Sequence, residues 1–393
     1  MAASPVGRRE LRLLGAGVML IAACYGLARY AYGFFVPVFR TAFGLDAATV
    51  GAIASGSYAA YCVAIVLTTI LIPRVGARSL AVAAGGIATG GILLVALAPN
   101  ATVLAVGVLV AGSSTGVASP PLADAVARTV RTSVRDRMQT VINAGAGVGV
   151  AVAGPVALLT HEQWRSAWIS FAIACAAVTV YVAFAVPSGS PPPAGRSPRT
   201  ALLPRPLFPA GSGRLMAAAA LMGAASSAVW TFGRDVLVSV GGMDEAASTT
   251  AWILLGASGV LGAAAGDLAR RLGIATGWAA AMMTMGIATA LLAAFPDLPV
   301  VAWITAAAFG AVYMTLTGLL LIWGTEAYPI APAAGVGLAF LVMSLGQAAA
   351  APIVGGLSEG MDSRAAFTAA ALAAVAGAFI RPKRRERPPA STS

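Results

Sequence analysis

Long apolar runs alternate with short polar connections along the whole chain. A bilayer core about 30 Å thick is crossed by roughly 20 apolar residues of α-helix. Runs of this kind lie near residues 13–38, 49–72, 79–98, 102–123, 138–159, 165–186, 214–239, 247–268, 274–295, 299–323, 333–357 and 364–380. The pattern predicts an all-α integral membrane protein with twelve transmembrane helices.

A polar stretch rich in proline and arginine separates the sixth run from the seventh. It extends from Pro187 to Gly213 and contains three consecutive prolines at 191–193. Such a segment buries too little apolar surface to fold and is typical of a flexible linker. We predict a six-helix bundle over residues 1–186, a linker over 187–213, a second six-helix bundle over 214–380 and a basic tail over 381–393.

Positive charges collect in the connections on one side of the predicted membrane. With a cytoplasmic N-terminus, 20 of the 25 lysine and arginine residues lie on the cytoplasmic side. Arg40, Arg165 and Arg364 lie on the other side, whereas Arg29 and Arg234 fall within apolar runs. This bias predicts an even number of spans with both termini cytoplasmic, in a bacterial inner membrane.

Composition argues against several other classes of protein. Hydrophobic residues make up 59% of the chain and charged residues 10%, whereas about a quarter of a soluble domain is charged. The net charge of +11 is spread over short loops, so we expect no nucleic-acid partner. Cys24, Cys62 and Cys175 lie within apolar runs and are interpreted as packing residues. The single histidine, His161, excludes a histidine-rich metal site, and we expect no metal or cofactor.

The two sets of six runs share an internal repeat. Residues 28–33 correspond to 228–233 at an offset of 200, and residues 71–76 correspond to 268–273 at an offset of 197. Pro155 and Pro352 are again 197 residues apart. Three matches in chain order indicate two related bundles, and bundles that rock against each other open a central cavity alternately to each side.

Glycine pairs four residues apart predict faces where helices pack closely, because they leave one helix face without side chains. The pairs are Gly86 and Gly90, Gly112 and Gly116, Gly145 and Gly149, and Gly262 and Gly266.

Two loops and two helix segments carry a recognisable pattern. The loop after the second run contains Leu71, Arg74, Gly76 and Arg78, and the eighth run and its loop contain Gly266, Leu268, Ala269, Arg271 and Gly273. The fifth run contains Gly145, Gly149 and Gly154-Pro155, and the segment Trp164-Arg165-Ser166-Ala167-Trp168 opens the sixth. These segments resemble the major facilitator superfamily, whose signature loop reads G-x-L-A-D-R-x-G-R-[RK]. Pro73 and Arg270 replace the signature acid, and Leu158-Leu159 replaces the closing glycine pair of the family's antiporter motif.

The resemblance implies two pseudo-twofold-related six-helix bundles around a central cavity. It also implies secondary active transport of a small organic solute by a rocker-switch mechanism. The chain has no G-x-x-x-x-G-K-[ST] phosphate loop, so we expect an ion gradient, of protons, to drive transport. We expect the protein to act as a monomer.

Direction of transport stays open at this point, and other function classes are disfavoured. Uptake of an organic anion by symport and export of drugs or metabolites by antiport are the two alternatives. A membrane-embedded enzyme needs clustered acids, histidines or a Ser–His pair, which the apolar runs lack. The repeated halves favour a rocking carrier over a channel.

Charged residues inside the apolar runs are candidate functional residues, because an unpaired charge in the hydrocarbon region costs several kcal/mol. Arg29 lies past the middle of the first run, and Arg234 and Asp235 lie in the outer third of the seventh. We predict that Arg29 faces the cavity and either pairs with Asp235 or binds an anionic group of the substrate. Asp235 is the candidate for proton coupling. Alternatively, Arg234 and Asp235 reach water at the membrane surface.

Further polar and aromatic residues within the runs are candidates for the lining of the substrate cavity. Asn143 and Gln347 carry the most weight, because an unsatisfied amide is costly in lipid. The aromatic candidates are Tyr32, Tyr58, Tyr61, Trp230 and Tyr313.

Charges at the cytoplasmic helix ends are candidates for gating. The resemblance implies that Arg74 with Asp124, and Arg271 with Glu326, brace neighbouring helices when the cavity is closed on that side. The alternative is a pair of solvated surface contacts of little energetic value. Gly154 and Pro155 in the fifth run are further gating candidates.

Overall fold

The computed structural model describes residues 7–160, 163–188, 208–209, 211–329 and 331–382. Within these ranges the chain is helical and contains no β-strand. The helices are α1 (Arg8–Phe43), α2 (Ala47–Val75), α3 (Ala77–Ala96), α4 (Ala101–Thr129), α5 (Thr132–Leu159), α6 (Trp164–Ala185), α7 (Ser212–Val240), α8 (Glu245–Leu272), α9 (Ile274–Ala294), α10 (Pro299–Ala327), α11 (Pro332–Gly360) and α12 (Ser363–Phe379).

Three of these helices contain irregular turns. A π-helical stretch, Ala22–Tyr30, interrupts α1, and a second one, Val236–Val240, ends α7. In α8, a 3₁₀ stretch at Gly259–Ala264 joins two α-helical parts. The parts Glu245–Gly262 and Ala265–Leu272 are bent by 57° relative to each other.

The predicted multi-pass helical fold is confirmed. Ten helices of the described residues are long and apolar enough to cross a membrane, and α8 makes an eleventh if its bent parts form one span. The apolar helix α12 is shorter, at 17 residues. The count of twelve spans is therefore consistent with the structure and stays a prediction. Several helices extend beyond the predicted runs, as α1 does at both ends.

Most of the predicted linker and tail falls outside the described residues. Positions 189–207, 210 and 383–393 are not among them, and neither is His161. Helix α7 begins at Ser212, within the predicted linker, and α12 ends at Phe379.

The internal repeat is visible in the backbone. Gly76 is the single residue between α2 and α3, and Gly273 is the single residue between α8 and α9; their φ angles are 84° and 77°. Positive φ is accessible to glycine because it has no Cβ. Asp46 and Asp244 both cap the following helix by accepting a backbone hydrogen bond three residues on. In Asp46, hydrogen bonds from Thr49 lower the pKa of the carboxyl.

Close packing within the first six helices depends on glycines, mostly as predicted. A Cβ at Gly26 would overlap the backbone of Gly149, so α1 lies directly against α5. Gly112 and Gly116 pack against Ser57 and Tyr61 of α2.

The prediction for one glycine pair is wrong, and for another it is half wrong. A Cβ added at Gly86 or at Gly90 would meet no neighbouring atom within 4 Å, whereas Gly85 lies against Thr179 of α6. Each residue turns a helix face by about 100°, so a shift of one position changes which side is packed. Gly262 meets Met314, but Gly266 meets nothing.

Helices α1–α6 form a first half and α7–α12 a second half, and the two halves are in contact from one end of the molecule to its middle. We call the end where α1 begins and α12 ends the terminal face, and the opposite end the distal face. The halves meet through α1 with α7, α2 with α11 and α5 with α8. A Cβ at Gly33 would overlap the carbonyl oxygen of Trp230, one at Gly51 that of Ala351, and one at Gly355 that of Ala47. All three glycines lie in the distal part of their helices, so the halves are tightly closed there.

Candidate substrate-binding site

Arg29 is buried at the centre of the molecule, where helices of both halves meet. It lies in the π-helical stretch of α1, a kind of wide turn that is frequent at functional sites. Its side chain donates from Nη2 to Oε1 of Gln347 at 3.0 Å and from Nη1 to Oγ1 of Thr115 at 3.4 Å. The third nitrogen, Nε, is buried without a hydrogen-bond partner. Arg29 is only 6% exposed.

Four tyrosine rings surround the guanidinium of Arg29. Its Cζ atom lies 4.7 Å from the ring centroid of Tyr61, 4.8 Å from that of Tyr58, 5.7 Å from that of Tyr30 and 6.0 Å from that of Tyr25. Cation–π contacts of this kind contribute about 0.5–2 kcal/mol each. They stabilise the positive charge without neutralising it. No carboxylate among the described residues pairs with Arg29.

Gln347 connects Arg29 to the second half of the molecule. Its Nε2 donates to Oγ of Ser226 at 3.3 Å and to the hydroxyl of Tyr313 at 3.4 Å. The hydroxyls of Tyr313 and Tyr30 are hydrogen-bonded at 3.3 Å. We call Arg29, Thr115, Gln347, Ser226, Tyr313 and Tyr30 the central polar cluster. It joins α1 and α4 of the first half to α7, α10 and α11 of the second.

The two sides of the central polar cluster differ in how they are covered. On the distal side, the rings of Tyr30 and Trp230 stack with their centroids 3.9 Å apart. Trp230 also packs edge-on against Tyr313, at 5.2 Å, and its indole nitrogen has no partner. On the terminal side lies Tyr25, which is half-buried and hydrogen-bonded to Ser119 at 2.9 Å. The cluster is thus shut off more completely from the distal face.

Asp235 pairs with a different arginine from the one predicted. Its Oδ2 lies 2.6 Å from Nη1 of Arg40, and its Oδ1 accepts a hydrogen bond from Ser239 at 2.9 Å. The predicted alternative of an Arg29–Asp235 pair is therefore wrong. The Asp235 side chain is 7% exposed and that of Arg40 31%. We call this contact, which joins α1 to α7 near the distal face, the distal latch.

Arg234 is buried, which contradicts the expectation that it reaches water at the membrane surface. It donates from Nη1 to the carbonyl oxygen of Phe34 at 3.0 Å and from Nε to Oγ of Ser248 at 3.3 Å. Its Cζ lies 4.3 Å from the ring centroid of Phe34. Arg234 is 5% exposed and therefore adds a second contact between α7 and α1 beside the distal latch.

The structure brings together five of the seven predicted substrate-binding residues, namely Arg29, Tyr58, Trp230, Tyr313 and Gln347. Tyr61, from the wider set, lies with them. Tyr32 instead donates its hydroxyl to the carbonyl oxygen of Val50 at 3.1 Å and packs between α1 and α2. Asn143 is half-buried on α5 and accepts a long hydrogen bond, 3.5 Å, from Gln139 of the same helix. The structure does not place these last two side chains in the central polar cluster.

The predicted braces on the terminal side are not formed in this conformation. Asp124 pairs with Arg128 of its own helix at 2.8 Å, and Arg74 donates to the carbonyl oxygen of Ile70. Arg271 and Glu326 are both exposed and form no ion pair with each other. The braces were predicted for a state closed on that side, so their role stays a prediction.

The predicted gating pair in α5 lies partly at the junction of the two halves. A Cβ at Gly154 would overlap the side chain of Ile253 in α8, whereas Pro155 is exposed. Gly154 therefore allows α5 and α8 to approach closely.

Four residues of the site were missed at the sequence level. Tyr25 and Arg29 are four residues apart, which places them on one helix face, and that spacing was an available signal. Tyr30 follows Arg29 directly. Thr115 and Ser226 are small hydroxyl residues among many in the apolar runs, so no pattern distinguishes them.

Two helical halves around a buried polar centre are typical of one class of membrane transport proteins. Comparison with models of protein families identifies the family within this class. The chain belongs to the Major Facilitator Superfamily, whose family model matches residues 18–351. The chain is therefore a membrane transporter and not an enzyme. No match was found among curated proteins.

Solved structures of transporters share the fold. An aspartate-to-alanine mutant of the nucleoside transporter NupG matches with a TM-score of 0.77 at 16% identity, over 95% of this chain and 98% of that one. A glutamate-to-glutamine mutant of the peptide transporter POT with sulfate gives 0.74 at 15% identity, over 94% and 93%. A bacterial homologue of the human lysosomal transporter Spinster, inward-facing and unoccupied, gives 0.72 at 16% identity, over 96% and 95%.

Proposed function

We propose that this protein is a proton-coupled symporter that takes up a small organic anion and binds it at Arg29. The observation that carries the proposal is a buried guanidinium with no carboxylate partner and one unpaired donor, placed where the two halves meet. Taking a charge without a counter-ion out of water costs several kcal/mol. Two neutral hydrogen-bond acceptors and four tyrosine rings offset this cost without neutralising the charge. An anionic substrate supplies the missing counter-charge.

The pattern of contacts between the halves supports alternating access by a rocker-switch motion. Among the described residues, hydrogen bonds between the halves extend from the distal face to the middle, where Cys62 contacts the carbonyl oxygen of Leu341. Of these hydrogen bonds, the one at Cys62 lies nearest the terminal face. In this conformation we therefore infer entry to the central polar cluster from the terminal face.

Asp235 is our candidate for proton coupling. Its pair with Arg40 joins the halves, so protonation of the carboxylate removes one charge from the distal latch and favours opening of the distal side. Loss of a partly buried pair of this kind changes the ratio of two conformations by about tenfold. Glu359 accepts a hydrogen bond from the backbone of Ala47 at the same interface and is a second carboxylate that bridges the halves among the described residues.

Uptake into proteoliposomes tests the proposed function. With an inward proton gradient, we expect the protein to raise the uptake of radiolabelled benzoate above that of protein-free liposomes, which take up some benzoic acid by diffusion of the neutral form. We expect no such increase for benzamide, which has the same ring without the charge, and Asp235→Asn is expected to lose the protein-dependent accumulation of benzoate while retaining downhill exchange. Glu359→Gln is the matched control, because it makes the same change from acid to amide at another carboxylate between the halves. Equal uptake of acid and amide argues against the anion site, and full proton-driven accumulation by Asp235→Asn removes that residue from coupling.

We propose that the terminal face is cytoplasmic, because the connections at that face carry most of the arginines. Asp297 and Asp267 are exposed acids at the distal and terminal faces, respectively. The three native cysteines are free and buried, so single cysteines at these positions report orientation against a low background. We expect Asp297→Cys, and not Asp267→Cys, to react with an impermeant maleimide on intact cells. The opposite labelling pattern contradicts the orientation.

A further inference from the structure

The edge of the Arg29 guanidinium that faces Gln347 is only half occupied. Nε and Nη2 lie on the same edge of an arginine side chain, the edge that binds a carboxylate through two parallel hydrogen bonds. In the structure Nε has no partner, and Nη2 donates to the neutral amide oxygen of Gln347. One position of a carboxylate fork is thus without a hydrogen-bond partner, and the other holds an uncharged acceptor.

We propose that the carboxylate of an aromatic monocarboxylic acid displaces Oε1 of Gln347 and takes both Nε and Nη2 of Arg29. This inference rests on the proposed function and names the substrate class of the same site. A carboxylate forms two parallel hydrogen bonds with this edge where the amide oxygen forms one, and it adds the attraction of opposite charges, so the exchange favours the substrate. Gln347 is a positioning residue that holds this edge of Arg29 while the site is empty.

The surroundings of Arg29 select the rest of the substrate. The four rings around the guanidinium belong to tyrosines, and Trp230 stacks beside them. Stacked and edge-on contacts with such rings favour an aromatic body. No second arginine takes part in the central polar cluster, since Arg40 and Arg234 have their own partners near the distal face. A second negative charge on the substrate would be desolvated there without a counter-charge.

The exchange also connects substrate binding to the motion of the halves. The bond from Arg29 to Gln347 crosses from the first half to the second. Once a carboxylate replaces it, Gln347 keeps its bonds to Ser226 and Tyr313, both in the second half. Substrate binding therefore removes one of the contacts that hold the two halves together at their centre.

Calorimetric titration of the purified full chain in nanodiscs tests the proposal. For the wild type we expect benzoate to bind at least tenfold more tightly than benzamide, terephthalate or the non-aromatic cyclohexanecarboxylate. Gln347→Glu places a carboxylate on the edge itself and is expected to weaken benzoate binding at least thirtyfold. Gln347→Met has nearly the same length without the amide, so benzoate is expected to bind as tightly as to the wild type, or more tightly.

The two Gln347 variants separate displacement from a merely structural role. If both weaken benzoate binding equally, or if neither changes it, the displacement is overturned. Equal affinity for terephthalate or cyclohexanecarboxylate overturns the substrate class, as does the absence of benzoate binding to the wild type. Arg29→Met distinguishes a failure of the proposed function from a failure of the displacement of Gln347. Undiminished benzoate binding by that variant overturns the proposed function itself, whereas a strong loss there with no effect of Gln347→Glu overturns only the inference.

Discussion

Replacing Arg29 with methionine is expected to reduce anion transport by a factor of about 30 or more and to leave the protein about as stable as the wild type. Truncating one partner of a buried, hydrogen-bonded charge pair costs about 2–5 kcal/mol of binding, and each 1.4 kcal/mol is a factor of ten. In the apo protein, removal of a buried charge without a counter-ion offsets the lost hydrogen bonds and cation–π contacts, and methionine fills a similar volume. Transport should therefore fall steeply while thermal stability changes little.

Uptake in proteoliposomes and the thermal unfolding midpoint of the detergent-purified protein measure the two effects. Arg364→Ala is the control, because it removes the same charge from an exposed site near the distal face. Arg29→Lys keeps the positive charge but cannot form two parallel hydrogen bonds with a carboxylate, so it should recover only a small part of the activity. Uptake by Arg29→Met within threefold of the wild type contradicts a substrate-binding role for this arginine.

Gly33→Ala is expected to prevent closure of the distal side and to reduce turnover at least tenfold. The new Cβ would overlap the backbone carbonyl oxygen of Trp230, and a backbone atom cannot move aside as a flexible side chain does. Overpacking of this kind costs about 1–3 kcal/mol. The steric cost arises only when the two halves are in contact at the distal side. The population therefore shifts by about one to two orders of magnitude towards a state that is open there.

Spin labels on Thr41 and Asp297, which lie on opposite halves near the distal face, measure this change in conformation. Both residues are exposed. The distance between the labels should lengthen in Gly33→Ala and stay unchanged in Gly90→Ala, where a Cβ meets no neighbouring atom within 4 Å. An unchanged distance in both variants, with normal uptake, means that the contact at Gly33 does not limit the motion.

The fold was predictable because it depends on the hydrophobicity of long segments, to which many residues contribute. Twenty apolar residues in succession fit a bilayer whatever their exact order, and glycines in corresponding places produce the same turn in each half, as Gly76 and Gly273 do. Which face of a helix is packed depends on single positions. That is why the pair Gly86 and Gly90 was assigned to a packed face although Gly85 occupies it.

The candidate site was predictable as a set of residues but not as a set of contacts. Arg29 and Gln347 stand out because a charge and an amide in apolar runs each need a partner. Their mutual contact, across 318 positions of sequence, follows from the way the halves dock and leaves no trace in local patterns. The predicted Arg29–Asp235 pair is wrong because the two residues lie at different depths in the membrane. In the internal repeat, Asp235 of α7 corresponds to position 35 of α1. That places it about 9 Å farther along the helix than Arg29, at 1.5 Å per residue.

The single glycine between α2 and α3, and the one between α8 and α9, leave almost no slack in the chain. A residue spans at most about 3.6 Å when extended, so the facing ends of such helices cannot separate by more than a few ångströms. In the proposed rocker-switch motion, α2 can therefore move away from α11 only together with α3, and α8 can move only together with α9. Helix α3 exposes Leu93 and Leu94, and the loop that follows it exposes Leu97. The proposed motion would displace the lipid around α3, so we expect the rate of transport to depend on the thickness and fluidity of the bilayer.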